Sequence, residues 1–367
     1  MENTLRHRLE RDASIVLDAA MGTELSRRGA NTAPPLWSAR ALVEAPELVE
    51  KVHRENVAAG ADILTIASFR LHARNLREDS CSLSQGELIA KAVDIARRAA
   101  AEVSSKVNRG VAPPERFELA QMHQAASESS SKMNGEAALR DVPKQEQRTA
   151  RPSNGPTHPS KKIFSSVWIA GSLAPLEDCY RPDLVPSEAE ISSEHSEMAA
   201  ALAAQGVDLI LVETMNSIRE LVAATAAAVS TGLPVLASMV TDGEGRLLSG
   251  ESIEDAADAL LSLSPLPDAL GINCVPARKL GADLARLSSA SSGIPLLAYG
   301  NTGRALDESR GIFTEPIDPY EYAALARGWL AEGARIVGGC CGTNAAHVRA
   351  LRSLFGERNS ERPPTDR

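Results

Sequence analysis

Eight short apolar runs, each followed by a helix-length segment, constrain this chain more than any other feature. The runs cover residues 14–18, 62–66, 167–170, 208–212, 234–239, 268–272, 295–299 and 334–337. Most are apolar at consecutive positions and rich in Val, Ile and Leu, the pattern of parallel strands buried on both faces. Helical patterns occupy 46–59, 86–101, 188–205, 218–229, 253–261 and 319–332. Eight strands alternating with helices predict an α/β fold, a (β/α)8 TIM barrel forming a single domain. The rival is a doubly wound open sheet. Its Gly-rich loop is missing after the first strand, where DAAMGTEL holds one glycine.

The length of 367 residues suits one barrel with an insertion. Only 3% of the residues are aromatic against 43% hydrophobic, so the core must be built from Ala, Val, Leu and Ile. The segment 104–162 breaks the pattern. It is rich in Ser, Pro, Lys, Glu, Gln and Arg, as in SESSSK and RPSNGPTHPSKK. That composition predicts a disordered insertion between the second helix and the third strand, with a short helical pattern at 114–126. The barrel is therefore expected over 1–357, interrupted by 104–162, with a disordered tail at 358–367.

A net charge of −9 argues against nucleic acid and anionic membrane as partners. No apolar run approaches the roughly 20 residues that cross a bilayer. The N-terminal MENTLRHRLERDAS has no apolar h-region, and its arginines alternate with acidic residues. A cytoplasmic protein is expected. The five cysteines then read as reduced thiols, free for metal or chemistry.

Parallel barrels carry their chemistry at the C-terminal ends of the strands. Unusual polar residues fall there. Asp18 ends the first run, Glu213 follows the fourth in LILVETM, and Cys274 follows the sixth in GINCVP. Cys340 and Cys341 follow the eighth in IVGGCCGT. Three thiolates with one open position make a catalytic type of zinc site, and thiolate ligands select Zn²⁺ among the common non-redox ions. The adjacent pair can share one ion only across a sharp turn, for which Gly338, Gly339 and Gly342 offer freedom. Thr343 reads as the N-cap of the following helix. A vicinal disulfide is the alternative for the pair. Glu213 reads as a ligand-binding carboxylate, or as a structural one. Asp18 reads as a substrate contact, or as a cap for its own loop. Cys81 and Cys179 read as small hydrophobes, and His53 and His195, inside helical patterns, as structural.

These motifs resemble the homocysteine S-methyltransferases, a family of zinc-dependent barrels. The matching stretches are VLDAAMGTELSRRGA, PPLWSARAL, AGADILTIASF, WIAGSLAP, GVDLILVETM, GINCVPAR, YGNTG and ARIVGGCCGTNAAHVRAL, in order from about residue 15 to 352. The resemblance implies that Cys274, Cys340 and Cys341 hold Zn²⁺ and that Asp18 and Glu213 hold the amino group of homocysteine. It also implies methyl transfer to the homocysteine thiol, giving methionine. The PPLWSAR stretch resembles the branch that uses S-methylmethionine, so a sulfonium donor is expected, with S-adenosylmethionine as second choice. Trp37, with Phe69, reads as facing its charge through cation–π attraction, or Trp37 as packing its loop against the first helix. Departures mark a divergent branch: Ala19 and Ala20 stand where the family often has two glycines, and SLAPLEDCYRPD replaces the usual run after the third strand. Two alternatives therefore stay open: a different thiol or selenol acceptor, or a zinc-holding barrel without catalysis.

Overall fold

Three aspartates set the register of the barrel floor. Asp62, Asp208 and Asp268 each precede a strand and accept a backbone N–H from the strand before it in sequence: Val16 at 2.9 Å, Ile169 at 2.7 Å and Val235 at 2.9 Å. A strand end left without such a partner would bury an orphan donor. In this computed structural model the described residues are 4–10, 14–79, 81–108, 167–303, 306–307, 312–313 and 316–358. The barrel strands are β1 (Ile15–Val16), β2 (Ile63–Thr65), β3 (Trp168–Leu173), β4 (Leu209–Met215), β5 (Val235–Met239), β6 (Ala269–Pro276), β7 (Leu296–Asn301) and β8 (Ala334–Gly339).

All eight are parallel, in the order β1-β8-β7-β6-β5-β4-β3-β2. The two edges meet through a parallel bridge between Leu17 and Ile63, with Asp18 donating its N–H to the Ile63 carbonyl at 3.1 Å. The sheet thus closes into the expected (β/α)8 barrel. Closure pairs the two edge strands of the barrel with each other.

Its interior is filled by Ile15, Leu17, Ile63, Trp168, Ala170, Leu209, Leu211, Leu236, Ala269, Leu297, Tyr299 and Ile336. A short helix, α1 (Leu5–Glu10), adds Leu5 and Leu9 to this core from the N-terminal side. Arg6 of α1 pairs with Asp268 at 2.6 Å, and Arg8 with Asp62 at 3.3 Å.

The helices that wrap the barrel include α2 (Gly22–Arg27), α3 (Ala41–Glu44), α4 (Pro46–Ala59), α5 (Ala73–Asp79), α6 (Gln85–Asn108) and α7 (Glu188–Ala204). They continue with α8 (Ile218–Val229), α9 (Ile253–Leu261), α10 (Ala277–Ala290), α11 (Pro319–Ala331) and α12 (Ala345–Arg358). Their starts follow side-chain chemistry. Ser187 and Glu190 form a reciprocal capping box on α7, and Asp318 accepts two N–H groups at the start of α11.

The helix α6 runs to Asn108, so the polar segment expected from residue 104 begins in helix. The expected helix at 114–126, the rest of the insertion and the tail after 358 lie outside the described residues. Among the described residues no helix is long and apolar enough to cross a membrane.

Candidate metal centre and substrate pocket

The sulfurs of Cys274, Cys340 and Cys341 all lie within 4.8 Å of one another. The Cys274 and Cys341 sulfurs are 3.8 Å apart. A tetrahedral zinc site with bonds of about 2.3 Å separates its sulfurs by about 3.8 Å. The spacing and the all-thiolate donor set therefore fit Zn²⁺, and three ligands leave the fourth position open. Hydrogen bonds from Cys340 and Cys341 hold the Cys274 thiol well below its usual range, and their bonds to Cys274 together with burial push Cys340 and Cys341 well above theirs.

Local backbone geometry aims these sulfurs. Cys274 has φ 56°, a left-handed conformation that non-glycine residues rarely adopt. A register shift between Asn273 and Pro276 accompanies it. The Cys274 carbonyl accepts from Asn301 Nδ2 at 2.8 Å, which helps hold the strained residue. Thr214 at the end of β4 repeats the device, with φ 61° and a shift between Val212 and Met215. These kinks extend β4 and β6 past the ends that apolar pattern predicts, and they carry Glu213 and Cys274 inside the strands.

The turn at Cys340–Cys341 is made differently from the expectation. Only Gly342 of its three glycines is left-handed, with φ 83°. Gly339 is needed for space, since a Cβ there would collide with the Thr343 side chain. Gly338 is likewise pressed by Leu17. Thr343 is not the helix cap. Its hydroxyl donates to the Cys340 carbonyl at 2.6 Å and accepts the Ala20 N–H at 3.2 Å. The cap is Asn344, whose Oδ1 accepts from Ala346 N at 3.0 Å. Thr343 therefore staples the cysteine turn to the loop after β1, and Thr23 adds a bond to Gly342 N at 2.9 Å.

Asp18 and Glu213 are both buried near this mouth. Asp18 accepts from Thr65 N at 2.8 Å and Thr65 Oγ1 at 2.9 Å. Burial pushes its carboxyl up to about 8, against those two bonds and with added repulsion from Glu213. Burial likewise pushes Glu213 up to about 7, against hydrogen bonds from Ser172 and Tyr299. Tyr299 OH donates to Glu213 Oε2 at 3.3 Å and lies 2.9 Å from Ser238 Oγ. Ser238 Oγ in turn lies 2.8 Å from Asn273 Oδ1. Glu213 is thus held by a buried polar chain that ends beside Cys274. Among the described residues neither of these two buried acidic groups is paired with a basic side chain, so they are poised for a cation from outside.

Trp37 and Phe69 do meet, stacked at 5.8 Å between centroids. The cation over Trp37, however, is the guanidinium of Arg70 at 5.0 Å. His53 is buried within α4, and burial pushes its ring down to about 4. His195 faces Glu220 at 3.2 Å. Cys81 and Cys179 stand outside the three-sulfur group. One contact escaped sequence reasoning: the Tyr180 hydroxyl lies 3.1 Å from Cys274 Sγ. Its position next to Cys179 in a divergent loop gave no periodic or motif signal.

A family model described as homocysteine S-methyltransferase matches residues 15–355. The chain belongs to the homocysteine S-methyltransferase family. Homocysteine S-methyltransferase of Escherichia coli is 29% identical over 362 residues, covering 96% of this chain and 98% of that one. A selenocysteine methyltransferase of Astragalus bisulcatus is 26% identical, covering 95% of this chain and 94% of that one. Among solved structures, the metallated form of the homocysteine methyltransferase MmuM from Escherichia coli superposes with a TM-score of 0.66. It is 26% identical and covers 96% of this chain and 100% of its own. This member of the homocysteine S-methyltransferase family thus shares the barrel along nearly its whole length, and its three-cysteine group sits at the mouth where such barrels carry their chemistry.

Proposed function

We propose that this chain transfers a methyl group from a sulfonium donor to the thiol of homocysteine, giving methionine. The three sulfurs gathered at the barrel mouth beside two buried carboxylates carry the reading. Cys274, Cys340 and Cys341 are the ligands assigned to Zn²⁺. When bound, Zn²⁺ supplies Lewis-acid chemistry that favours the thiolate of a thiol entering its open position.

The protein's residues do the rest. Glu213 and Asp18 receive the ammonium of the amino acid, and the Ser172–Glu213–Tyr299 bonds fix where that ammonium sits. The pocket thus orients the acceptor sulfur toward the donor, which is the main demand of an in-line displacement. The acceptor sulfur forms the new C–S bond. The donor's C–S bond breaks, its electron pair returns to the sulfonium sulfur, and a neutral thioether leaves. The acceptor's thiol proton passes to solvent. S-methylmethionine is the donor assigned first and S-adenosylmethionine second.

The likeness to a selenocysteine methyltransferase favours one second reading, a selenol acceptor on the same site. Methionine formation is to be assayed with homocysteine and each of S-methylmethionine, S-adenosylmethionine, betaine and methyl-folate, with selenocysteine as competitor. Metal is counted in the same preparations. The expected result is about one Zn²⁺ per chain, methionine fastest from a sulfonium, and loss of both metal and activity in Cys341→Ser but not in Cys81→Ser. Full zinc occupancy in Cys341→Ser would sink the ligand assignment. Faster turnover of betaine or methyl-folate would sink the donor.

A further inference from the structure

The loop between β3 and α7 is held by side chains from neighbouring parts of the barrel. His72 Nε2 lies 2.9 Å from the Ala174 carbonyl. Glu220 accepts from Leu176 N at 2.9 Å, and Arg70 donates to the Leu176 carbonyl at 3.3 Å. Asn216 donates to the Cys179 carbonyl at 3.2 Å, and Arg219 to the Val185 carbonyl at 2.5 Å. The Cys179 side chain is buried, whereas Tyr180 is 48% exposed. An exposed tyrosine normally leaves its hydroxyl in water. Here the hydroxyl turns back to Cys274, 3.1 Å from its sulfur and 3.4 Å from its carbonyl. A metal-ligating thiolate has no proton, so in that pair the phenol must donate.

Cys274 is also the ligand with the strained backbone, at φ 56°. A sulfur on a left-handed residue keeps its place only if its surroundings over-determine it. Asn301 bonds its carbonyl, and the single proton of the Tyr180 hydroxyl goes to its sulfur.

The chemistry of the site gives this bond a second use. A reactive methyl donor meets four sulfurs around one ion, and only the acceptor's should be methylated. A hydrogen bond draws charge from a thiolate and makes it the poorer nucleophile.

We propose that Tyr180 is a positioning residue of the metal centre: its hydroxyl fixes Cys274 Sγ as a ligand and shields it from methylation. This rests on the three-cysteine zinc assignment above. The test uses the zinc-loaded full chain as wild type and Tyr180→Phe, which keeps the exposed ring and lacks the hydroxyl. Equal thermal midpoints and circular dichroism confirm that both are folded.

Zinc release to a chromogenic chelator is timed in both. In a second arm, both are exposed to methyl iodide without acceptor, and the cysteines are mapped by peptide mass. In that reaction the Cys274 sulfur forms a C–S bond, iodide leaves with the electron pair, and the thiolate becomes a thioether. Tyr180→Phe is expected to release zinc about ten-fold faster, about 1.4 kcal/mol, as befits one bond to a charged sulfur. It is also expected to accumulate methyl on Cys274 well before wild type. Equal release rates would overturn the positioning role, and equal methylation of Cys274 would overturn the shielding. A wild-type chain that holds no zinc would instead overturn the metal assignment itself.

Discussion

A carboxylate buried without a cation of its own costs free energy until something charged arrives. Among the described residues Glu213 is such a group, pushed up to about 7 by burial and held by Ser172 and Tyr299. Glu213→Gln keeps the shape and removes the charge. It is expected to raise the KM for homocysteine by about ten-fold or more, the loss of a charge-assisted bond of about 1.5–3 kcal/mol, while zinc content stays normal. An unchanged KM in steady-state assays would make the carboxylate structural. The same scale shows what could be read from sequence. The placement of Asp18, Glu213 and the three cysteines at strand ends was legible because each closes or follows an apolar run, and strand ends form the mouth of a parallel barrel. Tyr180 was not legible. Its contact spans 94 residues of chain and depends on a loop fold fixed by His72, Arg70 and Asn216, none of which marks Tyr180 in the sequence.

At the scale of elements, pattern located the strands well and their ends less well. The runs at 208–212 and 268–272 stop where apolar residues stop, but β4 and β6 continue to Met215 and Pro276. The cause is the left-handed residue in each, Thr214 and Cys274, a backbone state that side-chain polarity does not encode. Gly338 and Gly339 were misread for a related reason. Their role is close packing against Leu17 and Thr343, a tertiary fact, and not turn freedom. The helices at 46–59, 218–229 and 253–261 match their expected bounds because their periodic faces are uninterrupted. The insertion makes a prediction at this scale. In sequence it joins α6 to β3, and αβ connections of a parallel barrel join the ends opposite the mouth. Because α6 reaches Asn108, the cut belongs after that residue. Replacing 109–162 with a short Gly/Ser linker is expected to leave zinc content and methionine formation within about two-fold of the full chain, since a change of loop length costs little in closure entropy. Loss of activity in a folded, zinc-loaded deletion would mean that the segment contributes to the reaction.

For the whole molecule, the two mouth carboxylates tie stability to pH and to ligand. Asp18 rises from 3.8 to about 8 and Glu213 from 4.5 to about 7 on folding. A folded-state value above the unfolded one means that the protonated form is favoured by the fold. The stability these groups contribute is complete below about pH 4 and is lost as pH rises through about 7 and then 8. The chain's net charge of −9 adds self-repulsion over the same range, so a simple melting curve cannot isolate them. A ligand difference can, because the rest of the surface charge is common to free and bound protein. An ammonium placed between the carboxylates restores their ionised state, so an amino acid should stabilise the protein more at pH 8 than at pH 6. Homocysteine would confound this, because its thiol also loses a proton at a metal. Methionine carries the same ammonium and no thiol. The thermal shift produced by a fixed methionine concentration is therefore expected to grow as pH rises from about 6 to about 8, and to grow less in Glu213→Gln. A shift that stays constant with pH in both proteins would show that neither carboxylate meets the ammonium, and the amino-acid end of the substrate would have to be sought elsewhere on the rim.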